Sequence, residues 1–216
     1  GFSLAGEVPN PPKESIATLE RFAGVFDLAY QRFVDLINVE AQAKEAKVEV
    51  ALERIRAQAL SMRQSTDLLD IVVAMRTAFV NLGYEAHYFW YMKWLPEKYE
   101  KAMTSGDGSR IGMVMELPRR IHGEIESIKS WEESSEPSLV HPMNVEEALD
   151  YVHKMAAWGD FKQIDPNMPS DDDLKHIGGL TYVMARTTYG EIGYSLPGFV
   201  SQSSLEARET LIRFAG

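Results

Sequence analysis

Residues 84–94 read YEAHYFWYMKW, and this run decides the fold. Aromatic residues at alternating positions are strand material. Tyr88, Trp90 and Trp94 point to one face, while His87, Phe89 and Tyr91 point to the other. A strand with apolar groups on both faces is covered on both sides, so it is expected at the centre of a sheet. Upstream, Ser65 and Thr66 offer N-cap oxygens and Asp67 and Asp70 put negative charge in a first helical turn. Leu68, Val72, Met75, Phe79 and Leu82 then share one helical face, and Gly83 ends it. Downstream, Pro96 closes the strand, Tyr99 to Thr104 forms a second, and the Ser105-Gly106-Asp107-Gly108 turn leads into a third over Arg110 to Leu117. Pro118 opens a helix from Arg119 to about Glu133. The acidic stretch Glu132 to Pro137 is a loop, and Val145 to Trp158 is a further helix. Asp165 to Asp173 is an acidic turn region. Thr181 to Thr188 and Glu191 to Leu196 are strands of a hairpin turned at Tyr189-Gly190. The expected class is α+β: a central antiparallel sheet of about five or six strands flanked by helices, preceded by a long N-terminal connector helix.

That connector starts after Pro11-Pro12, because no proline follows until Pro96. Leu19, Phe22, Phe26, Ala29 and Phe33 recur at helical spacing, and EAQAKEAKVEVALERIR over residues 40–56 has high helix propensity. Unbroken to Arg63, such a helix is about 75 Å long, longer than a globule of this chain length. It must protrude, kink or pair. Val34, Ile37, Ala41, Val48, Ala51, Ile55 and Met62 follow a three-four spacing, and the first six form the candidate seam of a parallel homodimer. Lys44 and Gln58 interrupt it, so a helix folded back on its own domain is the competing reading.

The two ends of the chain are versions of one segment. Residues 3–24 read SLAGEVPNPPKESIATLERFAG and residues 195–216 read SLPGFVSQSSLEARETLIRFAG, identical at 11 of 22 positions without a gap. The shared pattern is a strand end, a glycine turn and a helix start. A protein of tandem modules is expected, with residues 1–12 ending one module, 13–64 the connector helix, 65–196 the domain, and 197–216 the turn and start of the next connector.

Composition narrows the function classes. A formal charge of -10 and a pI near 5.0 disfavour direct nucleic-acid binding. There is no cysteine, which removes disulfides, thiolate metal sites and cysteine nucleophiles and fits a cytoplasmic setting. No run reaches the roughly 20 apolar residues of a membrane span. His87, His122, His141, His153 and His176 include no pair at i, i+4, so no metal site is expected. Asp171-Asp172-Asp173 lacks the glycine and distal glutamate of a calcium loop, and no phosphate loop or serine nucleophile elbow is present. The chain is read as non-enzymatic. Tyr88, Trp90, His122, Tyr182 and Arg186 are the candidate lining of a small-molecule pocket. The bland alternative is that the aromatic residues simply fill the core.

Three stretches carry a family likeness: ALERIRAQALSMRQSTDLLDIV over 51–72, TYVMARTTYGEIGYSLPG over 181–198, and the connector RFAGVFDLAYQRFVDL over 21–36. Together they resemble the divergent GAF-like sensor modules of bacterial signal-transduction proteins. The resemblance implies an antiparallel sheet between helices and a module that relays signals along dimeric helices to kinase, cyclase or DNA-binding output domains. No cofactor is implied, the ligand is an unspecified small molecule, and the partners are a second copy and adjacent modules. A ligand-free structural or protein-interaction repeat is the rival reading.

Overall fold

The computed structural model describes residues 12–64 and 66–216. The expected strand end at Ser3-Leu4, the turn at Gly6 and the cap at Ser65 lie outside the described residues. Helix α1 spans Lys13–Leu60, opening with the Ser15 and Ile16 amides bonded to the Pro12 carbonyl. Helix α2, Asp67–Asn81, is not capped by the Thr66 side chain. Instead the Asp67 carboxylate accepts from the Arg63 and Gln64 amides and closes the turn between the two helices. Gly83, at φ 90°, provides the left-handed turn that ends the segment.

Among the described residues seven strands form one antiparallel sheet in the order β4-β6-β7-β1-β2-β3-β5. These are β1 Phe89–Trp94, β2 Lys98–Thr104, β3 Ile111–Pro118, β4 Ser138–Met143, β5 Asp160–Gln163, β6 Leu180–Thr187 and β7 Gly190–Pro197. The aromatic strand is therefore the central one, as its two-sided pattern requires. The expected class holds, with more strands than anticipated. Both strands that sequence reading missed are the sheet's edges. β4 carries Pro142 and β5 is short and exposed, and an edge strand needs neither continuous apolar alternation nor a complete set of amide donors.

The expected helix over Arg119 to Glu133 is two helices, α3 Arg120–Gly123 and α4 Glu126–Glu133, broken where Ile125 turns extended. Helix α5, Val145–Trp158, matches expectation and opens with a reciprocal capping box between Asn144 and Glu147. The acidic run is the first turn of helix α6, Asp171–Ile177, boxed by Ser170 and Asp173. Helix α7, Leu205–Ala215, closes the described chain.

The sheet separates two cores. On one face Phe89, Val183, Ile192 and Tyr194 pack with Val48, Leu52 and Ile55 of α1, Val72 and Phe79 of α2, and Leu211 and Phe214 of α7. Phe79 is the hub, with ring centroids of Tyr84 and Tyr194 at 4.9 and 4.8 Å and Phe89 and Phe214 at 6.1 and 6.3 Å. On the other face Trp90, Met92, Tyr99, Met113, Met115 and Tyr182 pack under Ile121, Ile128, Trp131, Tyr151 and Met155 of α3, α4 and α5.

The chain divides into two units between Lys47 and Val48. In the second, Val48–Leu60 and α7 share the core of the sheet. In the first, the helix carries exposed Phe22, Phe26, Tyr30, Phe33, Val34 and Ile37. The expected homodimer seam is thereby split. Val48 and Ile55 are 3% and 7% exposed inside the intramolecular core, with Ala51 against it, whereas Val34, Ile37 and Ala41 remain exposed. Apolar burial is non-directional, and the sheet supplies a nearer cover for the C-terminal half of the stripe than a partner helix would.

Candidate functional site

The face beneath α3, α4 and α5 holds charged residues where a core would ordinarily be apolar. Register explains how they meet. Met92 pairs with Glu191 on β7 and with Lys101 on β2, so the two charged side chains flank Met92 on one face of the sheet. Trp90, one pleat along on the same face, pairs with Gly193. A Cβ at that glycine would lie 2.5 Å from the indole, so only glycine lets the ring lie across β7. The indole Nε1 donates to Glu191 Oε1 at 3.0 Å and the ring stands 4.7 Å from Tyr182. The Lys101 ammonium sits 4.4 Å from the Trp90 ring centroid and 5.4 Å from that of Tyr182, within cation–π range.

The helices lower a second polar group onto this floor. His122 of α3 is 1% exposed, and its Nδ1 lies 2.7 Å from Glu132 Oε1 on α4. Tyr99 of β2 donates to both Glu132 oxygens at 2.8 and 3.0 Å, and Arg119 forms an ion pair with Oε2 at 3.0 Å while its guanidinium covers the Tyr99 ring. Nδ1 must carry a proton to bond an ionised Glu132. Nε2 then faces the Tyr151 hydroxyl at 3.5 Å, a long contact. One ligand-type atom each from His122, Glu132 and Glu191 lies within 4.8 Å of the others, so these three residues could offer a metal a histidine and two carboxylates. The Arg119 charge stands against Glu132 and the Lys101 charge attracts Glu191.

Electrostatics separates the two acids. Burial pushes the Glu132 carboxyl up, but the bonds from His122 and Tyr99 and the Arg119 charge outweigh it and hold it below the usual range. Burial dominates at Glu191 and pushes it up, against His122, Trp90 and Lys101. Its Oε2 is buried and has no hydrogen-bond partner among the described residues. Burial brings the Lys101 ammonium down to about 8, against the attraction of Glu191. Tyr99, Tyr151 and Tyr182 are all pushed up, mainly by burial, and stay protonated donors.

Of the residues expected to line a pocket, Trp90, His122 and Tyr182 are gathered here. Tyr88 lines an adjoining apolar cavity of about 60 Å³ with Tyr182, Met103 and Met113, and its phenol is pushed up to about 12 by burial and by Asp165 and Asp173. Arg186 stands apart. It lies between the Trp94 and Trp131 rings, 5.0 Å from each, and donates to the carbonyls of Trp131 and Glu132, so it holds the C-terminal end of the helix that carries Glu132. Sequence reading missed Lys101, Glu191, Glu132, Tyr99 and Tyr151. The signal for Lys101 was legible: it falls between Tyr99 and Met103 at alternate positions of β2, so an apolar face carries one charge.

No family model, curated protein or solved structure matches the chain.

Lys101 and Glu191 flank Met92 and attract each other without a direct ion pair among the described residues, and where such buried charges compensate one another, removing one costs about 3–5 kcal/mol. Glu191→Gln and Lys101→Met should each lower stability by about 3 kcal/mol, and the double variant by clearly less than the sum. Urea unfolding of the four proteins measures this, and strict additivity would show that the two groups do not interact.

Proposed function

We propose that the chain is a non-catalytic, GAF-like sensory module of a bacterial, cytoplasmic signal-transduction protein. In this reading it relays a change in the chamber to its helices, works as a homodimer and stands in line with further copies of itself. One observation carries the reading: the polar chamber and the helical layer lie on opposite faces of the same central strands. In β1, Trp90 and Met92 face the chamber and Phe89 faces α2. In β7, Glu191 bonds the chamber's indole while Ile192 and Tyr194 pack under α1, α2 and α7. A ligand that moves β1 against β7 therefore changes the surface on which Phe79, Leu52 and Phe214 rest, which is a population shift between two packings.

In this reading kinase or cyclase chemistry would belong to another domain of the parent protein. Among the described residues no helix is long and apolar enough to cross a membrane. The rival reading, a ligand-free interaction repeat, is favoured by one feature: the chamber is filled by its own side chains, and the spaces bordering it, about 60 Å³ beside Tyr88 and Tyr182 and about 220 Å³ beside Ile121 and Tyr151, lie outside the charged cluster.

Ligand bound only by the folded state stabilises it by mass action, by about 2.7 kcal/mol at a hundredfold its Kd. A panel of small polar metabolites should contain a compound that raises Tm by about 5–10 °C in a chain of this size, and His122→Ala should abolish that shift. A panel without any shift would place the ligand-free repeat ahead.

Dimerisation would rest on residues before the division, since Val48 and Ile55 are used internally. Light scattering should give a dimer that Val34→Glu with Ile37→Glu converts to a monomer, whereas a monomer in both proteins would remove the dimer from the account.

A further inference from the structure

The terminal repeat acquires a structural meaning once the helices are placed. Helix α1 begins at Lys13 and helix α7 at Leu205, and these are equivalent positions of the repeated segment. The repeat therefore matches helix start to helix start. The identities are also concentrated where α7 is buried. Its core-facing residues are Ala207, Thr210, Leu211 and Phe214, and the last three recur as Thr18, Leu19 and Phe22. Non-identical positions include the exposed Leu205 and Glu209, which stand opposite Lys13 and Ala17.

In α7 this face has a defined seat. Leu211 is 0% exposed in the Phe79 core, and Phe214 meets the Phe79 ring edge-on. The Thr210 hydroxyl donates to the Tyr84 hydroxyl at 3.2 Å, and Arg213 bonds Glu49 of α1. In α1 the equivalent Phe22 is 66% exposed. A helix face that retains threonine, leucine and phenylalanine at matching positions fits the sheet face on which its twin is seated.

We infer that residues 13–24 are a module-closing helix whose seat is the α2 and sheet face of a preceding copy of this domain, at the positions that Tyr84, Phe79 and Tyr194 occupy here. Helix α7 and the start of α1 are then the same element in successive modules. Helix α1 is at once the last helix of one module, through Leu19 and Phe22, and the first of the next, through Val48, Leu52 and Ile55. A module's closing helix is thus its neighbour's opening helix. The inference rests on the array part of the proposed function and not on the ligand chamber.

Replacement of residues 205–216 by the sequence of 13–24 tests it directly. The exchange introduces Leu205→Lys, Ala207→Ser, Arg208→Ile, Glu209→Ala and Ile212→Glu. The chimera should unfold cooperatively with Tm lowered by no more than about 10 °C. Ile212 packs partly into the core, so a second chimera that keeps it should recover much of the loss. Leu211→Asp with Phe214→Asp in the parent chain should abolish the cooperative transition and sets the baseline for an unseated helix. Either chimera unfolding cooperatively well above that baseline supports a shared seat. Both chimeras behaving like the doubly substituted chain would overturn it. Neither result bears on ligand binding, which the metabolite panel reads separately.

Discussion

The pairing of β1 with β7 through Trp90 and Gly193 is the constraint on which the rest of the structure depends. The two strands are about a hundred residues apart in the chain, so their pairing must offset the entropy of closing a long loop. Gly193 is what makes the register workable: without a side chain there, the indole can lie across β7 and reach Glu191. Phe89 and Tyr194, paired on the opposite face, then stand beneath Phe79. A one-residue slip of β1 would drive Trp90 into the helical core, away from Glu191, and Phe89 into the polar chamber. Both layers thus follow from one register.

The same arrangement explains why a costly set of buried charges is tolerated. An isolated carboxylate or ammonium in such a place would cost several kcal/mol. Here each charge has a neighbour: Lys101 rests on the Trp90 face beside Glu191, while Glu132 is held by His122, Tyr99 and Arg119. The exceptions are Glu191 Oε2 and Arg119 Nη1, which are buried without a hydrogen-bond partner among the described residues. Polar groups left open within an otherwise satisfied network are where a binding site is sought.

Most of the fold was legible because its central elements announce themselves by period. The aromatic alternation of β1, the apolar stripe of α2 and the hairpin of β6 and β7 are long-range buried elements whose residue types admit little else. The edges β4 and β5 were not legible, because edge strands exchange half their hydrogen bonds with solvent and need no strong pattern. The break between α3 and α4 was hidden for a different reason: Ile121, Ile128 and Trp131 keep a helical apolar spacing across it. In the site, Trp90, His122 and Tyr182 were found from residue type and face. Glu191 and Glu132 were not, since their proximity to His122 depends on packing between elements far apart in sequence. The split of the dimer seam between Val34 and Ile37 on one side and Val48 and Ile55 on the other was likewise invisible, because an apolar stripe does not say which surface will cover it.

The central claim is that the chamber and the helical layer are coupled through the sheet. Amide hydrogen exchange in the intact chain, compared with its His122→Ala variant, tests that claim most directly. His122 touches α4, α5 and the chamber floor but belongs to the face opposite α1 and α7. The account predicts faster exchange in Val48–Leu60 and Leu205–Ala215 as well as in α3 to α5. Changes confined to α3, α4 and α5, with the opposite helices unaltered, would contradict it.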